Sequence, residues 1–289
     1  MCRLFGFRSV ITSQVHRSLI SADNALMRQS ERHPDGWGVA YYVAGVPHVV
    51  KSVNSAVSDS LFQRVSGVVA SETVVAHLRK ATVGNLSILN SHPFQYGSWV
   101  LAHNGQIPDF ARYREAVIAR VSPVFRRFIL GDTDSEVIFY LLLSKMAQRF
   151  DVHRKGAPLA ELSAALRETV EAIQEVTGLD CYTRAKEQEF YLSLLVTNGH
   201  VMVAHQGGKE LFYSTHKTAC PDREICPSYA PCCEARSRSG FVNHFIVSSE
   251  PLQGENIWEA MKPGEILGVD WRMQLYQEMR DASPAPVGA

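Results

Sequence analysis

Thr73-Val74-Val75-Ala76-His77-Leu78 and Ser98-Trp99-Val100-Leu101-Ala102-His103 are two apolar runs of strand length, each bounded by turn residues. Short runs rich in β-branched and aromatic residues with such boundaries read as buried strands. Each run leads into polar residues: Arg79-Lys80-Ala81-Thr82 after the first, Asn104-Gly105 after the second. Outward from these, residues 4–10 read as another short buried strand and 36–43 as a further one. A helical stretch over roughly 18–32 lies between them, Gly45-Val46-Pro47 reads as a turn and 58–65 as a helix. The middle of the chain is helical. Residues 109–121 form one candidate, and Thr133, three residues before Glu136, opens a second through about Met146 as a capping box. Leu159, Leu162, Leu166, Val170 and Ile173 recur at spacings of three and four, which makes 159–176 an amphipathic helix. Strands then return. Residues 190–197 and 200–205 read as a hairpin through Asn198-Gly199, whose positive φ angles suit a type I′ turn. Further runs lie at 211–214, 241–248, 266–269 and 273–276, and 281–289, with Pro284 and Pro286, read as a disordered tail. Strands, then helices, then strands, with no linker rich in Pro, Gly or Ser, predict a single α+β domain over residues 2–280. Its sheets pack on each other and its helices lie outside.

The chain has 289 residues, with 29 Lys and Arg against 29 Asp and Glu. A neutral chain without a basic run lacks the electrostatic footprint of a nucleic-acid binder. No apolar stretch approaches the roughly 18 residues of a membrane span. The start, Met1-Cys2-Arg3-Leu4-Phe5-Gly6, has neither the n-region nor the h-region of a secretion signal. The expectation is a cytoplasmic protein whose six cysteines are reduced thiols.

Cys2 is the sharpest single feature. Met before Cys is a context in which the initiator is normally removed, and Cys2 would then be the first residue of the mature chain. Such a residue carries its own base, an α-amine of pKa about 7.7–8.0 beside a thiol of about 8.5. A catalytic His is then unnecessary. Four polar stretches accompany it where strands stop and helices start: Arg32-His33-Pro34-Asp35-Gly36-Trp37-Gly38; His77-Leu78-Arg79-Lys80-Ala81-Thr82; Ser91-His92-Pro93-Phe94 with Ala102-His103-Asn104-Gly105; and Gly131-Asp132-Thr133-Asp134-Ser135-Glu136. Polar clusters at such boundaries are typical of sites.

In this order and at this spacing the stretches resemble a class II glutamine amidotransferase, an N-terminal-nucleophile (Ntn) hydrolase. By motif the resemblance runs from Cys2 to about Glu136, and more weakly to Val247-Ser248-Ser249-Glu250-Pro251. It implies a four-layer αββα sandwich of two antiparallel sheets. It also implies a reaction in which Cys2 attacks the side-chain amide of glutamine, ammonia leaves, and water releases glutamate from a γ-glutamyl thioester. In this reading the Asn104 amide and the Gly105 N–H hold the developing oxyanion, Arg79 holds the substrate carboxylate with help from Thr82, and Asp134 pairs with its ammonium. Asp134 at a helix start also suits the macrodipole, so both readings of it stand. Arg32 and Asp35 are expected to orient the site. His77, His92 and His103 are read as hydrogen-bonded structural histidines, and Trp37 as core. No cofactor and no metal is implied.

The chain also departs from the family pattern. Arg3 follows the nucleophile where several members have Gly, Lys80 stands where the sugar-phosphate synthase branch has Trp, and only about forty residues follow Pro251. The resemblance is therefore to the stand-alone branch, which includes hydrolases of larger γ-glutamyl amides in ergothioneine biosynthesis and glutathione breakdown. Four readings stay open: a glutaminase-type amidohydrolase that supplies ammonia to a synthetase partner or simply hydrolyses, a hydrolase of a larger γ-glutamyl conjugate, a catalytically silent binding subunit, and a metal-binding interaction module built on the cysteine loop at 220–233. Cys220, Cys226, Cys232 and Cys233, with His216 nearby, form a second constellation. Its Cys-x₅-Cys-x₅-Cys-Cys spacing does not match the close pairs that zinc prefers, so no metal is assigned to it.

Overall fold

The computed structural model describes residues 2–182 and 189–280. The expected tail at 281–289 and the fate of Met1 lie outside the described residues. In chain order the elements are β1 (Arg3–Gln14), a π-type turn (Arg17–Ser21), α1 (Leu26–Gln29) with a 3₁₀ turn (Ser30–Arg32), β2 (Trp37–Val43), β3 (Val46–Ser52), α2 (Ser60–Val68), β4 (Ala70–Leu78), β5 (Phe94–Tyr96) and β6 (Trp99–Gln106). Next come the helices α3 (Phe110–Arg120), α4 (Pro123–Arg126), α5 (Asp134–Arg149) and α6 (Leu159–Thr177). The chain closes with β7 (Tyr191–Thr197), β8 (Met202–His205), β9 (Phe212–Ser214), a 3₁₀ turn (Pro231–Cys233), β10 (His244–Ser248), β11 (Glu259–Ala260), β12 (Ile266–Val269) and β13 (Leu275–Glu278).

The strands form two sheets, in the orders β11-β9-β10-β1-β4-β2-β3 and β13-β12-β8-β7-β6-β5. The pairings within both are antiparallel. The period-two alternation of each strand decides where its side chains go. Leu4, Ala40, Val75 and Val247 from the first sheet meet Val100, Ala102, Leu195, Ala204 and Leu267 from the second in a shared inner core. Phe5, Phe7, Trp37, Val39, Val74 and Ala76 face the other way, onto Leu19, Leu26 and Phe62 of the short helical segments. Trp99, Leu101, Leu194 and Val196 face outward from the second sheet onto α3, α5 and α6. The result is the α, β, β, α layering that the resemblance implies. Tyr42 ties the sheets together: its hydroxyl lies 2.8 Å from the Ser98 carbonyl and 3.2 Å from that of Thr197.

α6 forms where the three–four spacing placed it, with Leu162, Leu166, Val170 and Ile173 buried, and ends on Gly178 at φ +71°, a left-handed cap that glycine adopts freely. α5 is buried along nearly its whole length. The Thr133 hydroxyl accepts from the Glu136 N–H at 3.3 Å, one half of the capping box. The other half is replaced, because the Glu136 carboxylate turns to the Leu130 and Gly131 N–H groups at 3.1 and 2.6 Å.

Several expectations are corrected. The stretch 18–32 is three short helical pieces, not one helix. Val46 and Pro47 belong to β3, the edge strand of its sheet, where the N–H that Pro lacks is not needed. The hairpin at Asn198-Gly199 forms, but Thr197 pairs with Met202, so its loop has four residues. Gly199 alone in that loop has positive φ, and the Asn198 side chain accepts from the His200 and Val201 N–H groups, both at 3.0 Å. The last strand begins at Leu275, two residues later than read, after Met273 takes φ +59°.

Candidate active site

β1 and β4 pair with Arg3 opposite Leu78, so the residue before Arg3 arrives beside the end of β4. There the Lys80 N–H donates to Cys2 Sγ at 3.3 Å, and the Lys80 carbonyl lies 3.5 Å from the same sulfur. Leu4 and Gly6 face the other sheet: Leu4 lies in the shared core, and a side chain on Gly6 would meet Leu195. By the strand alternation Cys2 shares that inward face. The thiol is buried, which pushes its pKa up, and the Lys80 N–H pulls it the other way.

On the second sheet Ala102 points inward and Leu101 outward, so the next inward residue of β6 is Asn104. It is buried, and its amide Nδ2 is 3.1 Å from Ser249 Oγ. Ser249 in turn takes the Leu4 N–H on Oγ at 2.9 Å and gives its own N–H to the Leu4 carbonyl at 3.0 Å. One hydroxyl therefore links the strand of Cys2 to the side chain of Asn104. Among the described residues Asn104 Oδ1 is buried without a partner, a state that costs about 1–3 kcal/mol until something fills it. Gly105 pairs with Leu192, whose N–H goes to the Gly207 carbonyl and whose carbonyl meets His205 Nδ1, both on the far side. Gly105 thus sits at a non-hydrogen-bonded pair, and its N–H is directed away from β7. Any Cβ here would lie 1.9 Å from the Tyr191 carbonyl oxygen, so the position requires glycine.

Arg79 is buried and gives its guanidinium hydrogens to the carbonyls of Asn85, Val83 and Gly84 at 3.0, 3.1 and 3.3 Å. Burial lowers its pKa, while Cys2, Asp35 and Asp134 act to raise it, which places each of the three within electrostatic reach of Arg79. Asp35 Oδ2 accepts from the Ala81 N–H at 2.8 Å, and the Asp35 N–H goes to the Arg79 carbonyl at 3.2 Å. It therefore fixes the strand end against which Cys2 rests. Asp134 is buried at the start of α5, with Oδ2 on the Ile107 N–H at 2.7 Å and Oδ1 on the Ser135 N–H at 2.8 Å.

Three histidines pack around this end. His77 Nε2 lies 3.1 Å from the His103 carbonyl, so the proton is assigned to Nε2. His103 Nε2 meets the Tyr191 carbonyl at 3.0 Å, and its Nδ1 meets Ser135 Oγ at 2.9 Å. Burial lowers all three, His77 to about 3. The expectation of hydrogen bonding fails for His92. Among the described residues neither ring nitrogen has a partner, and the ring packs between His77, at 4.0 Å between centroids, and Phe94, at 4.8 Å.

A family model described as glutamine amidotransferases class-II matches residues 1–274. The chain belongs to the class II glutamine amidotransferases. Over 294 aligned residues it is 27% identical to "Probable glutamine amidotransferase DUG3" of Saccharomyces cerevisiae, covering 93% of this chain and 82% of the relative. Over 74 residues, 25% of this chain and 32% of the relative, it is 35% identical to "Gamma-glutamyl-hercynylcysteine sulfoxide hydrolase" of Mycobacterium tuberculosis. The solved structure of a glutamine aminotransferase class-II domain protein from Silicibacter pomeroyi shares the fold, at TM-score 0.60 and 20% identity, over 96% of this chain and 99% of that one.

Within this class II amidotransferase not every sequence candidate is gathered at Cys2. Thr82 is exposed on the loop after β4. Arg32 is exposed and lines a polar groove of about 310 Å³ together with Arg3, Arg28 and Glu250. Ser249 is the residue that sequence inspection passed over as one of five in a late motif. Its role depends on a contact 245 residues away in the chain, which no local pattern encodes. The cysteine constellation lies elsewhere: Cys220, Cys226 and Cys233 line a cavity of about 280 Å³ with His244, against the second half of β1. All six cysteines are free, and among the described residues no three His, Cys, Asp or Glu side chains are placed to hold a metal ion. No helix among the described residues is long and apolar enough to cross a membrane.

Proposed function

We propose that this chain hydrolyses the side-chain amide of glutamine, with Cys2 as an N-terminal nucleophile after removal of Met1. The observation that carries the reading is the convergence of Cys2 from one sheet and Asn104 from the other, joined through Leu4 and Ser249 at the same end of the sandwich. The freed α-amine takes the thiol proton, and Sγ attacks the amide carbon. The oxygen that becomes negative is met by the Asn104 NH₂ and the Gly105 N–H, donors fixed before the reaction begins. Losing one such donor costs about 2.7–4 kcal/mol of barrier. The nitrogen leaves as ammonia with a proton returned from the amine, a γ-glutamyl thioester remains on Cys2, and water cleaves it to glutamate and thiol.

Arg79 and Asp134 would hold the amino-acid head. A substrate carboxylate exchanges the neutral carbonyls now on Arg79 for a charged acceptor, a stronger partner for the same hydrogens. Asp134 keeps acceptor capacity for an ammonium: a carboxylate has about four acceptor sites, and the Ile107 N–H, the Ser135 N–H and the Ser135 hydroxyl occupy three. Asp35 positions the strand end. Thr82 and Arg32, exposed in the resting chain, make no contact on which this reading depends.

A second reading, hydrolysis of a larger γ-glutamyl conjugate, is favoured by the similarity to the γ-glutamyl-hercynylcysteine sulfoxide hydrolase. The head-group contacts would be the same. An ammonia-accepting synthetase partner belongs to the first reading only.

Intact-mass measurement of the purified protein should show Cys2 at the amino terminus. A panel of glutamine, γ-glutamyl peptides and γ-glutamyl sulfoxides should reveal turnover and a γ-glutamyl adduct on the Cys2 peptide after quenching. Cys2→Ala should abolish both with an unchanged melting temperature. Turnover that survives Cys2→Ala places the nucleophile elsewhere. Silence of the processed wild type across the panel leaves the binding-subunit reading.

A further inference from the structure

Ser249 Oγ receives two donors, the Leu4 N–H at 2.9 Å and Asn104 Nδ2 at 3.1 Å, and among the described residues it donates to none. Meanwhile Asn104 Oδ1, an acceptor, is buried with no partner among the described residues. A hydroxyl carries one hydrogen and two lone pairs, so the arrangement wastes the hydrogen of Ser249 beside an acceptor that lacks one. The two ends of a side-chain amide are nearly equal in size, and which of them is oxygen is decided by the hydrogen-bond network around it. A half-turn of the Asn104 amide places its oxygen against Ser249 Oγ. The hydroxyl then takes the Leu4 N–H and gives its hydrogen to Asn104. The group left without a partner is now the NH₂, a donor.

We propose that Ser249 is a positioning residue that sets the orientation of the Asn104 amide, fixing its NH₂ as the free end. The inference rests on the reading of Asn104 as an oxyanion donor. It adds the residue that decides which end of the amide is presented. With the amide in the other sense, an oxygen would face the developing negative charge and repel it. Because the same hydroxyl holds the Leu4 N–H, two residues along from Cys2, Ser249 also fixes the donor relative to the strand that carries the nucleophile. The half-buried position of Ser249, just beyond the end of β10, makes it accessible to substitution without opening the inner core.

The test compares Ser249→Ala, Ser249→Thr, Asn104→Ala and the double variant Ser249→Ala/Asn104→Ala in γ-glutamyl amide hydrolysis. It also measures the rate at which iodoacetamide alkylates Cys2, a reaction that develops no oxyanion. Ser249→Ala should lower kcat about tenfold or more, within the roughly 10²–10³ attached to losing the donor itself, with KM changed little. Alkylation should stay at the wild-type rate, Ser249→Thr should restore kcat, and adding Ser249→Ala to Asn104→Ala should cost nothing more. Parallel losses of kcat and alkylation would show that Ser249 merely supports the strand, and the proposal falls. It falls equally if kcat is unchanged, or if the two substitutions add in full. Wild-type protein that turns over no γ-glutamyl amide removes the underlying reading as well, so the two failures are told apart by the wild-type control.

Discussion

Cys2 is a thiol whose surroundings favour its protonated form. Burial raises its pKa, and both of its hydrogen bonds are to one residue's backbone, that of Lys80. A neutral thiol satisfies both contacts, donating to the carbonyl and accepting from the N–H. Arg79 and the chain's amino group pull the pKa down, but burial is the larger effect, so the nucleophile proposed here is not a standing thiolate. It has to be deprotonated as it reacts, which is the task given to the α-amine. The consequence is measurable in the resting protein. Alkylation of Cys2 by iodoacetamide should be slower at pH 7 than for an exposed cysteine. It should still be climbing above about pH 10, where thiols of ordinary pKa, about 8.5, have levelled off. A rate that saturates near neutral pH would mean a depressed pKa and a different activation.

At the scale of elements, the site depends on the junction between Ile107 and α5. The Asp134 carboxylate holds the Ile107 N–H just past β6, and Thr133 caps the helix that carries Asp134. Thr133→Ala should cost about 1 kcal/mol of stability, the usual value of an N-cap side chain, read as a lower denaturant midpoint at unchanged slope. The cap and the long amphipathic helices were legible in the sequence because their signals span only three or four residues. The central strands were legible as well, through runs such as 73–78 and 98–103. β3, β5 and β11 were not. β3 contains Pro47 and His48 and runs along an edge, while β5 and β11 have three and two residues, too few for any period to show. The site obeyed the same rule. Cys2, Arg79, Asn104 and Asp134 stand in recognisable stretches, whereas the backbone of Lys80 and the hydroxyl of Ser249 act through pairings between distant strands. Nor does a sequence distinguish His92, whose ring nitrogens have no partner among the described residues, from its bonded neighbours His77 and His103.

Across the whole molecule, burial holds a set of imidazoles neutral: His77 and His244 at about 3, His205 at about 4, with His92 and His103 also lowered. In the unfolded chain these rings titrate near 6.5. Between that value and the folded ones the unfolded state binds protons that the folded state refuses. The stability is present in full above about pH 6.5 and is lost as pH falls toward 4 and 3. The melting temperature should therefore drop steeply between about pH 6.5 and 4.5, with an uptake of several protons on unfolding by calorimetry in buffers of different ionisation enthalpy. A flat profile over that interval would show that these rings ionise within the fold.

β1 lies inside its sheet, between β4, which begins at Ala70, and β10, which begins only at His244. On a ribosome the first of these neighbours is soon available, but the second is not. At about 5–20 residues per second the nascent chain waits on the order of ten seconds or more before β10 emerges. During that time one edge of the strand leading from Cys2 is bare, and Ser249 has not yet been made. The end of the sandwich that holds Cys2 is thus among the last regions to close during synthesis, and chains released early by truncation or stalling would expose that edge to one another.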